Sequence, residues 1–170
     1  MQRIMIIGGS GSGKSTLARS VGERLNLPVI HMDALFWEPN WVMASEDVFL
    51  SRVEQAIAQP AWVMDGNYSR TWPNRIRRAD TLIFLDYPGW LRLWRVLSRT
   101  VRGYGRTRPD MAPNCPERFD LGFIFGWVLQ YRRNGRPKAL SWMADDGPAR
   151  RLKRVHLRNR RQVLAFLEAL

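Results

Sequence analysis

Cysteine and histidine are nearly absent from this 170-residue chain, which has one cysteine, Cys115, and two histidines, His31 and His156. A single thiol cannot close an internal disulfide, and a four-ligand structural zinc site would recruit nearly every Cys and His present, so no structural zinc is expected. Long hydrophobic runs are missing too. The longest, Leu121 to Leu129, is nine residues with two glycines, against the roughly 20 that a membrane-spanning helix needs, so no membrane partner is expected. The N-terminal apolar run, Ile4 to Ile7, is shorter than the roughly 7–15-residue core of a secretory signal, and a cytoplasmic location is the expectation. Lysine is also scarce, at 3 of the 27 basic residues. Arginine's planar fork suits phosphate oxygens, although codon usage accounts for an arginine excess equally well.

What is present is 45% hydrophobic and 25% charged residues, a balance that suits one globular domain over residues 1–170. The net charge of +12 is uneven. Residues 1–90 carry 9 basic and 9 acidic side chains, whereas residues 91–170 carry 18 and 6. An anionic partner is therefore expected against the second half, and nucleic acid is one candidate.

Ile4 to Ile7, Val29 to Met32, Trp62 to Met64 and Leu82 to Leu85 are short continuous apolar runs, the pattern of parallel strands buried on both faces. Between them lie Lys14 to Leu25, Glu46 to Ala58 and Trp90 to Val101, with apolar residues at helical spacing that suits packing on a core. Such alternation predicts right-handed crossovers and a parallel sheet with helices on both faces, where ligands bind beyond the carboxyl ends of the strands. Gly103 to Arg118, rich in Gly, Pro and Arg, predicts a long basic loop, a lid insertion at about 103–118. A helix is expected from an Asp120 cap, with Gly122 and Gly126 allowing close approach of another element. After a polar break at Asp145 to Pro148, a strand around Val155 to Leu157 and a helix capped by Asn159 complete the reading.

Gly8-Gly9-Ser10-Gly11-Ser12-Gly13-Lys14-Ser15-Thr16 follows the first strand and opens the first helix, the setting in which G-x-x-x-x-G-K-[ST] cradles phosphates. Glycines let main-chain N–H groups turn inward, the helix adds its positive end, Lys14 reaches the outer phosphates and Ser15 can ligate Mg²⁺. The cofactors expected are thus ATP and Mg²⁺. A carboxylate near the metal is expected at a strand end; Asp65, followed by Gly66 and Asn67, fits better than Asp86, which is read as either metal-side or structural. Asp33 can accept the acceptor's proton or hold its hydroxyl in line, or serve as a turn or helix cap. Phe36, Trp37, Trp41, Tyr68 and Trp72 form either an aromatic wall for a flat acceptor or core, with Trp37 and Trp41 open to being one helix face. His31 reads as a satisfied histidine beside a strand end. Arg92, Arg95, Arg99 and Arg102 make one stripe leading into the lid, either a clamp on the transferring phosphoryl group or a solvated face. Among Arg70, Arg75, Arg77 and Arg78, one or two are candidates to grip a phosphate already on the acceptor.

In this order the residues resemble the adenylate-kinase-like P-loop kinases, and more closely the DNA topology modulation (FlaR-like) proteins. Those likewise run from a P-loop through H-x-D and W-x-x-D-G-N-Y segments to a basic lid. The resemblance implies a P-loop NTPase three-layer sandwich with a five-stranded parallel sheet in the order 2-3-1-4-5. It implies that Lys14 contacts phosphates, that Asp65 sits near the magnesium, and that Arg95 and Arg99 match the lid helix's R-x-x-x-R that clamps ATP. Arg158 and Asn159 would lie near the adenine. Where adenylate kinases carry D-G-F-P-R, this chain has Asp65-Gly66-Asn67-Tyr68-Ser69-Arg70, so AMP is not assumed as acceptor. Two functions are weighed. One is an ATP- and Mg-dependent phosphotransferase with catalytic Lys14, Asp33, Arg95 and Arg99, whose acceptor meets Asp33, Trp37, Asn67, Tyr68 and Arg70. The alternative is an ATP-regulated DNA-binding protein affecting DNA topology.

Overall fold

The apolar runs become strands of a parallel sheet in the computed structural model of the chain, which describes residues 1–144 and 152–170. In chain order the elements are β1 (Arg3–Gly8), α1 (Lys14–Leu25), β2 (Val29–His31), α2 (Met32–Phe36), β3 (Trp37–Glu38), β4 (Val42–Met43), α3 (Glu46–Ala58), β5 (Trp62–Asp65), α4 (Trp72–Arg78), β6 (Thr81–Leu85) and α5 (Gly89–Gly103). There follow α6 (Leu121–Phe123), continued by a π-helical turn over Ile124–Leu129, then α7 (Tyr131–Met143), β7 (Lys153–Leu157) and α8 (Arg160–Glu168). The polar break expected at Asp145 to Pro148 lies outside the described residues.

Every neighbouring pair in the main sheet is parallel, in the order β2-β5-β1-β6-β7. Setting aside the small antiparallel hairpin of β3 and β4, the five strands run 2-3-1-4-5 along the chain. Alternate residues of β1 serve the two sides. Ile4 and Ile6 pack with Leu17, Ala18 and Val21 of α1, and Met5 and Ile7 pack with Phe49 and Val53 of α3, Trp72 and Ile76 of α4, and Ala139 of α7. All four β1 side chains are fully buried, which stabilises the fold by about 1.5–3 kcal/mol each. Helices therefore cover both faces, and the strand ends next to the Gly8–Lys14 loop open on one edge.

Four expectations need correction. β2 stops at His31, and Met32 starts α2 rather than ending the strand. Trp37 and Trp41 do not share a helix face: Trp37 lies in β3 and Trp41 in the tight turn that follows, with φ 62°. Asp120 does cap its helix, accepting from Phe123 N at 2.8 Å, yet among the described residues no atom lies within 4 Å of where a β-carbon at Gly126 would stand, and at Gly122 the Asp120 carboxylate is the neighbour. α5 is turned over: its arginine side packs inward with Arg92, Val96 and Thr100 buried, and Trp90, Trp94 and Val101 face outward.

The 104–120 loop folds back on itself, with bridges between Tyr104 and Glu117 and between Thr107 and Pro116. It is fastened to the hairpin. Met111, Ala112 and Cys115 pack on Trp37 and Trp41, Asn40 N donates to Asn114 O at 3.1 Å, and Trp41 Nε1 donates to Pro116 O at 3.1 Å.

Candidate active site

A cavity of about 1270 Å³ opens at the carboxyl edge of the sheet, with Ser10, Gly11, Gly13, Lys14, Ser15 and Thr16 at one end. α1 begins there with no side-chain cap and no acid in its first turn, so its free N–H groups and positive dipole end face the cavity, an arrangement that suits an anion. Gly8, Gly9 and Ser12 are buried behind this surface. Gly11 has to be glycine, since its φ is +78° and a β-carbon would collide with the Arg92 carbonyl; at Gly9 a β-carbon would displace the Arg92 guanidinium. Burial lowers the Lys14 pKa, against the pull of Asp65 and Asp33, and its Nζ donates to Gly9 O at 3.3 Å. The Ser12 hydroxyl and Arg92 Nη1 are buried with no hydrogen-bond partner among the described residues. A half-buried ammonium, two buried donors without hydrogen-bond partners among the described residues and open helix N–H groups around one loop fit a polyphosphate.

Beside the loop, Ser15 Oγ donates to Asp65 Oδ2 at 2.8 Å, and His31 Nδ1 hydrogen-bonds Asp65 Oδ1. Burial disfavours the imidazolium, but this hydrogen bond and the Asp65 charge outweigh it and raise the His31 pKa. His31 is thus a satisfied side chain that orients Asp65. A hydroxyl and a carboxylate, both hard oxygen donors, meet at the loop, the donor set that suits Mg²⁺. Asp86 is differently placed. It takes Arg136 Nε at 2.8 Å and Nη2 at 2.9 Å, with His156 Nε2 at 3.1 Å. Burial would raise its pKa, but these hydrogen bonds lower it. Its oxygens are occupied, so Asp86 is a structural tie to α7.

Asp33 stands in the first turn of α2 without capping it; its Oδ1 accepts from Tyr68 OH at 2.7 Å. Burial, followed by the Asp33 charge and this bond, pushes the Tyr68 phenol upward, so it remains a donor. The rings around it interlock, with Phe36 against Trp37, Phe49 and Tyr68 at centroid distances of 5.0–5.2 Å. Phe36, Trp37, Tyr68 and Trp72 all face the cavity. They are wall and packing at once.

Several expected site residues have other duties. Asn67 braces the loop: Gly8 N donates to its Oδ1 at 3.1 Å and its Nδ2 donates to Gly8 O at 2.9 Å, which fixes the amide's orientation at the cavity wall. Arg70 sits at the rim, 82% exposed, paired with Glu46 at 2.8 Å. Arg75 is fully buried, donating to Gly66 O at 3.0 Å and to Asn67 O; burial pushes its pKa down to about 9. Arg78 donates to Ile57 O at 3.2 Å and Ala58 O at 3.3 Å, satisfying the carbonyls at the end of α3. Of Arg70, Arg75, Arg77 and Arg78, Arg70 lines the cavity and the other three do not. Asn159 caps α8, accepting from Gln162 N at 2.9 Å, Arg158 is exposed, and neither lines the cavity.

Arg95 and Arg99 do reach the cavity. Arg95 lies over the Tyr87 ring at 4.5 Å. Arg99 Nε pairs with Glu117 Oε1 at 3.1 Å, where Arg108 Nε also arrives at 2.5 Å, and Thr100 Oγ1 donates to Glu117 Oε2 at 3.3 Å. Arg108 also pairs with Asp110 at 2.7 Å. Burial, then the neighbouring Arg108 charge, lowers the Arg99 pKa. Burial would raise the Asp110 pKa, but the paired Arg108 charge holds it below the usual carboxylate range. Arg108, Asp110 and Glu117 are not singled out by the sequence reading; acids alternating with arginines inside the basic loop are the available signal.

Neither a protein-family model nor a curated protein matches this chain in sequence. Solved structures do match in shape. A gluconokinase from Sinorhizobium meliloti 1021 has a TM-score of 0.55 at 19% identity, covering 99% of this chain and 92% of its own. A shikimate kinase from Bacteroides thetaiotaomicron scores 0.55 at 16% identity, covering 99% and 95%. A shikimate kinase from Acinetobacter baumannii, in complex with shikimate, scores 0.58 at 14% identity, covering 99% and 90%. The chain has the α/β fold that these P-loop kinases have.

Proposed function

We propose that this protein is a small-molecule kinase that moves the γ-phosphoryl group of ATP, bound with Mg²⁺, to a hydroxyl of an acceptor seated on the aromatic wall. One observation carries the reading: the glycine-rich loop with Lys14, Ser15 with Asp65 hydrogen-bonded behind it, and the Asp33–Tyr68 pair meet at one cavity, which Lys14, Ser15, Asp33 and Tyr68 line. The kinases of like fold support it.

Lys14, the loop amides and the α1 N-terminus hold the phosphates. Ser15 and Asp65 would hold Mg²⁺, which when bound supplies charge to the phosphate oxygens. Tyr68 occupies Asp33 Oδ1 and leaves Oδ2 to accept the acceptor's O–H, aligning it and drawing off its proton as the new P–O bond forms. Arg95 and Arg99 place positive charge at the transferring oxygens, and the 104–120 loop acts as a lid that limits access of water. With Arg70, Arg75 and Arg78 engaged elsewhere, the wall favours an acceptor with a flat or apolar body over a nucleoside monophosphate. The kinase reading stands above the DNA reading because Arg92 and Arg99 face inward onto the loop and the cavity rather than a flat outer surface.

The test is a pair of variants. Lys14→Ala is expected to weaken ATP binding about a hundredfold by calorimetry. Asp33→Asn is expected to leave ATP affinity within about twofold and to slow transfer by about 10²–10⁴-fold. Full transfer by Asp33→Asn would remove it from the reaction.

A further inference from the structure

Because α5 turns Arg92, Val96 and Thr100 inward, it leaves an apolar ridge outside. Trp90, Trp94, Leu97 and Val101 fall at i, i+4, i+7 and i+11, and Tyr104 follows; they are 72, 59, 37, 64 and 64% exposed. Phe119, 56% exposed, extends the ridge, its ring 6.0 Å from that of Tyr104. Scattered exposed apolar residues are ordinary, whereas a contiguous row with two tryptophans marks an interaction surface. Alongside it runs a groove of about 500 Å³ lined by Trp94, Arg95, Ser98, Arg99, Arg102 and Arg106. Arg95 rests on Tyr87 and Arg99 on Glu117. Arg102 and Arg106 are exposed and have no acidic partner among the described residues.

We propose that the ridge and groove together dock on an anionic lipid bilayer, with the ridge entering the interface between headgroups and acyl chains and Arg102 and Arg106 meeting headgroup phosphates. Charge and shape select this occupant from three. A second copy would bring two arginine rows face to face, each from a chain half with 18 basic and 6 acidic residues, so like charges would oppose the contact. A nucleic acid supplies anions, and a base can stack on Trp94, but phosphodiester backbone offers nothing to Leu97 and Val101. An anionic bilayer accepts both parts, since tryptophans and aliphatic side chains favour the interface and nearby arginines gain from acidic headgroups. No helix among the described residues is long and apolar enough to cross a membrane, and adsorption needs none. The inference does not depend on the reaction assigned to the cavity.

Co-sedimentation of the intact protein with lipid vesicles tests it, using pure phosphatidylcholine and phosphatidylcholine with about a third phosphatidylglycerol. Partitioning onto the anionic vesicles is expected to be at least about tenfold stronger. Trp94→Ser with Val101→Ser removes the ridge and keeps the charge; it is expected to reduce anionic-vesicle binding at least about tenfold, with the melting temperature of wild type. Arg102→Gln with Arg106→Gln is expected to abolish most of the preference for phosphatidylglycerol. Four results would overturn the proposal. One is no binding to either vesicle. The second is anionic binding that survives loss of the ridge, which would mark plain attraction of a basic protein. The third is a concentration-dependent dimer, seen by sedimentation velocity, that the ridge variant abolishes. The last is single-stranded oligonucleotide binding that outcompetes excess vesicles and depends on Trp94.

Discussion

Helices α1 and α5 are both amphipathic, and both flank the glycine-rich loop, yet they face opposite ways. α1 buries Leu17, Ala18 and Val21 against the sheet and shows its polar residues to water. α5 buries Arg92, Val96 and Thr100 and shows Trp90, Trp94 and Val101. Apolar spacing reports where a helix's stripe lies; which stripe turns inward depends on what waits inside. Beneath α1 there is hydrocarbon from β1 and β5. Beneath α5 there is a loop shaped for anions, and buried carboxylates such as Glu117 stand ready to pair with cations.

That contrast makes quantitative demands. Val21→Asp puts an unpaired carboxylate into the core under α1 and is expected to destabilise the protein by about 4 kcal/mol or more in urea unfolding. A loss below about 1 kcal/mol would mean that the α1 interface is far looser than its burial shows. Glu117→Gln strips the charge that gathers Arg99 and Arg108; kcat/KM for transfer is expected to fall about thirtyfold, equivalent to about 2 kcal/mol. Rescue of this variant by Glu117→Asp, partial at best, would show that the carboxylate and not the packing holds the arginines.

Asp86→Asn loosens the tie between β6 and α7 and is expected to cost about 1–2 kcal/mol near neutral pH, less than a fully enclosed pair because Arg136 is 40% exposed. The sign of its pH dependence follows from the lowered Asp86 pKa. A carboxylate held below its unfolded value of about 3.9 adds stability above that pH and loses it as pH falls through the folded value. Wild type and Asp86→Asn should therefore converge in thermal melts below about pH 4. Smallest of all is Val101→Asp on the outer side of α5, expected to shift stability by no more than about 0.5 kcal/mol. If Val101→Asp were as damaging as Val21→Asp, α5 would not be turned over.

Much of the fold is legible in the sequence because its signals are local. The limits of α1 and α3, the Asp120 and Asn159 caps and the parallel order of strands follow from spacing and capping chemistry. α7 was not legible. Asn134, Gly135 and Pro137 are residue types that disfavour a helix interior, yet burial of Ala139 and the pairing of Arg136 with Asp86 hold a helix through them. Tertiary contacts outweighed local propensity. The loop Gly8 to Thr16 was legible because each residue type is demanded at its place. The roles of Asn67, Arg70 and Asn159 were not, because a polar side chain beside a site serves a ligand or the backbone equally well until its partner is known. Here the partner is Gly8, Glu46 or Gln162.

Cys115 gives this architecture an experimental handle. Its sulfur is 1% exposed at the seam where the 104–120 loop meets the β3–β4 hairpin, accepting from Trp41 N at 3.3 Å and lying 3.4 Å from Glu38 O. Being the sole thiol in the chain, it can react with a small alkylating reagent only when that seam parts. The rate of alkylation therefore clocks the seam at that one position, without any engineered label.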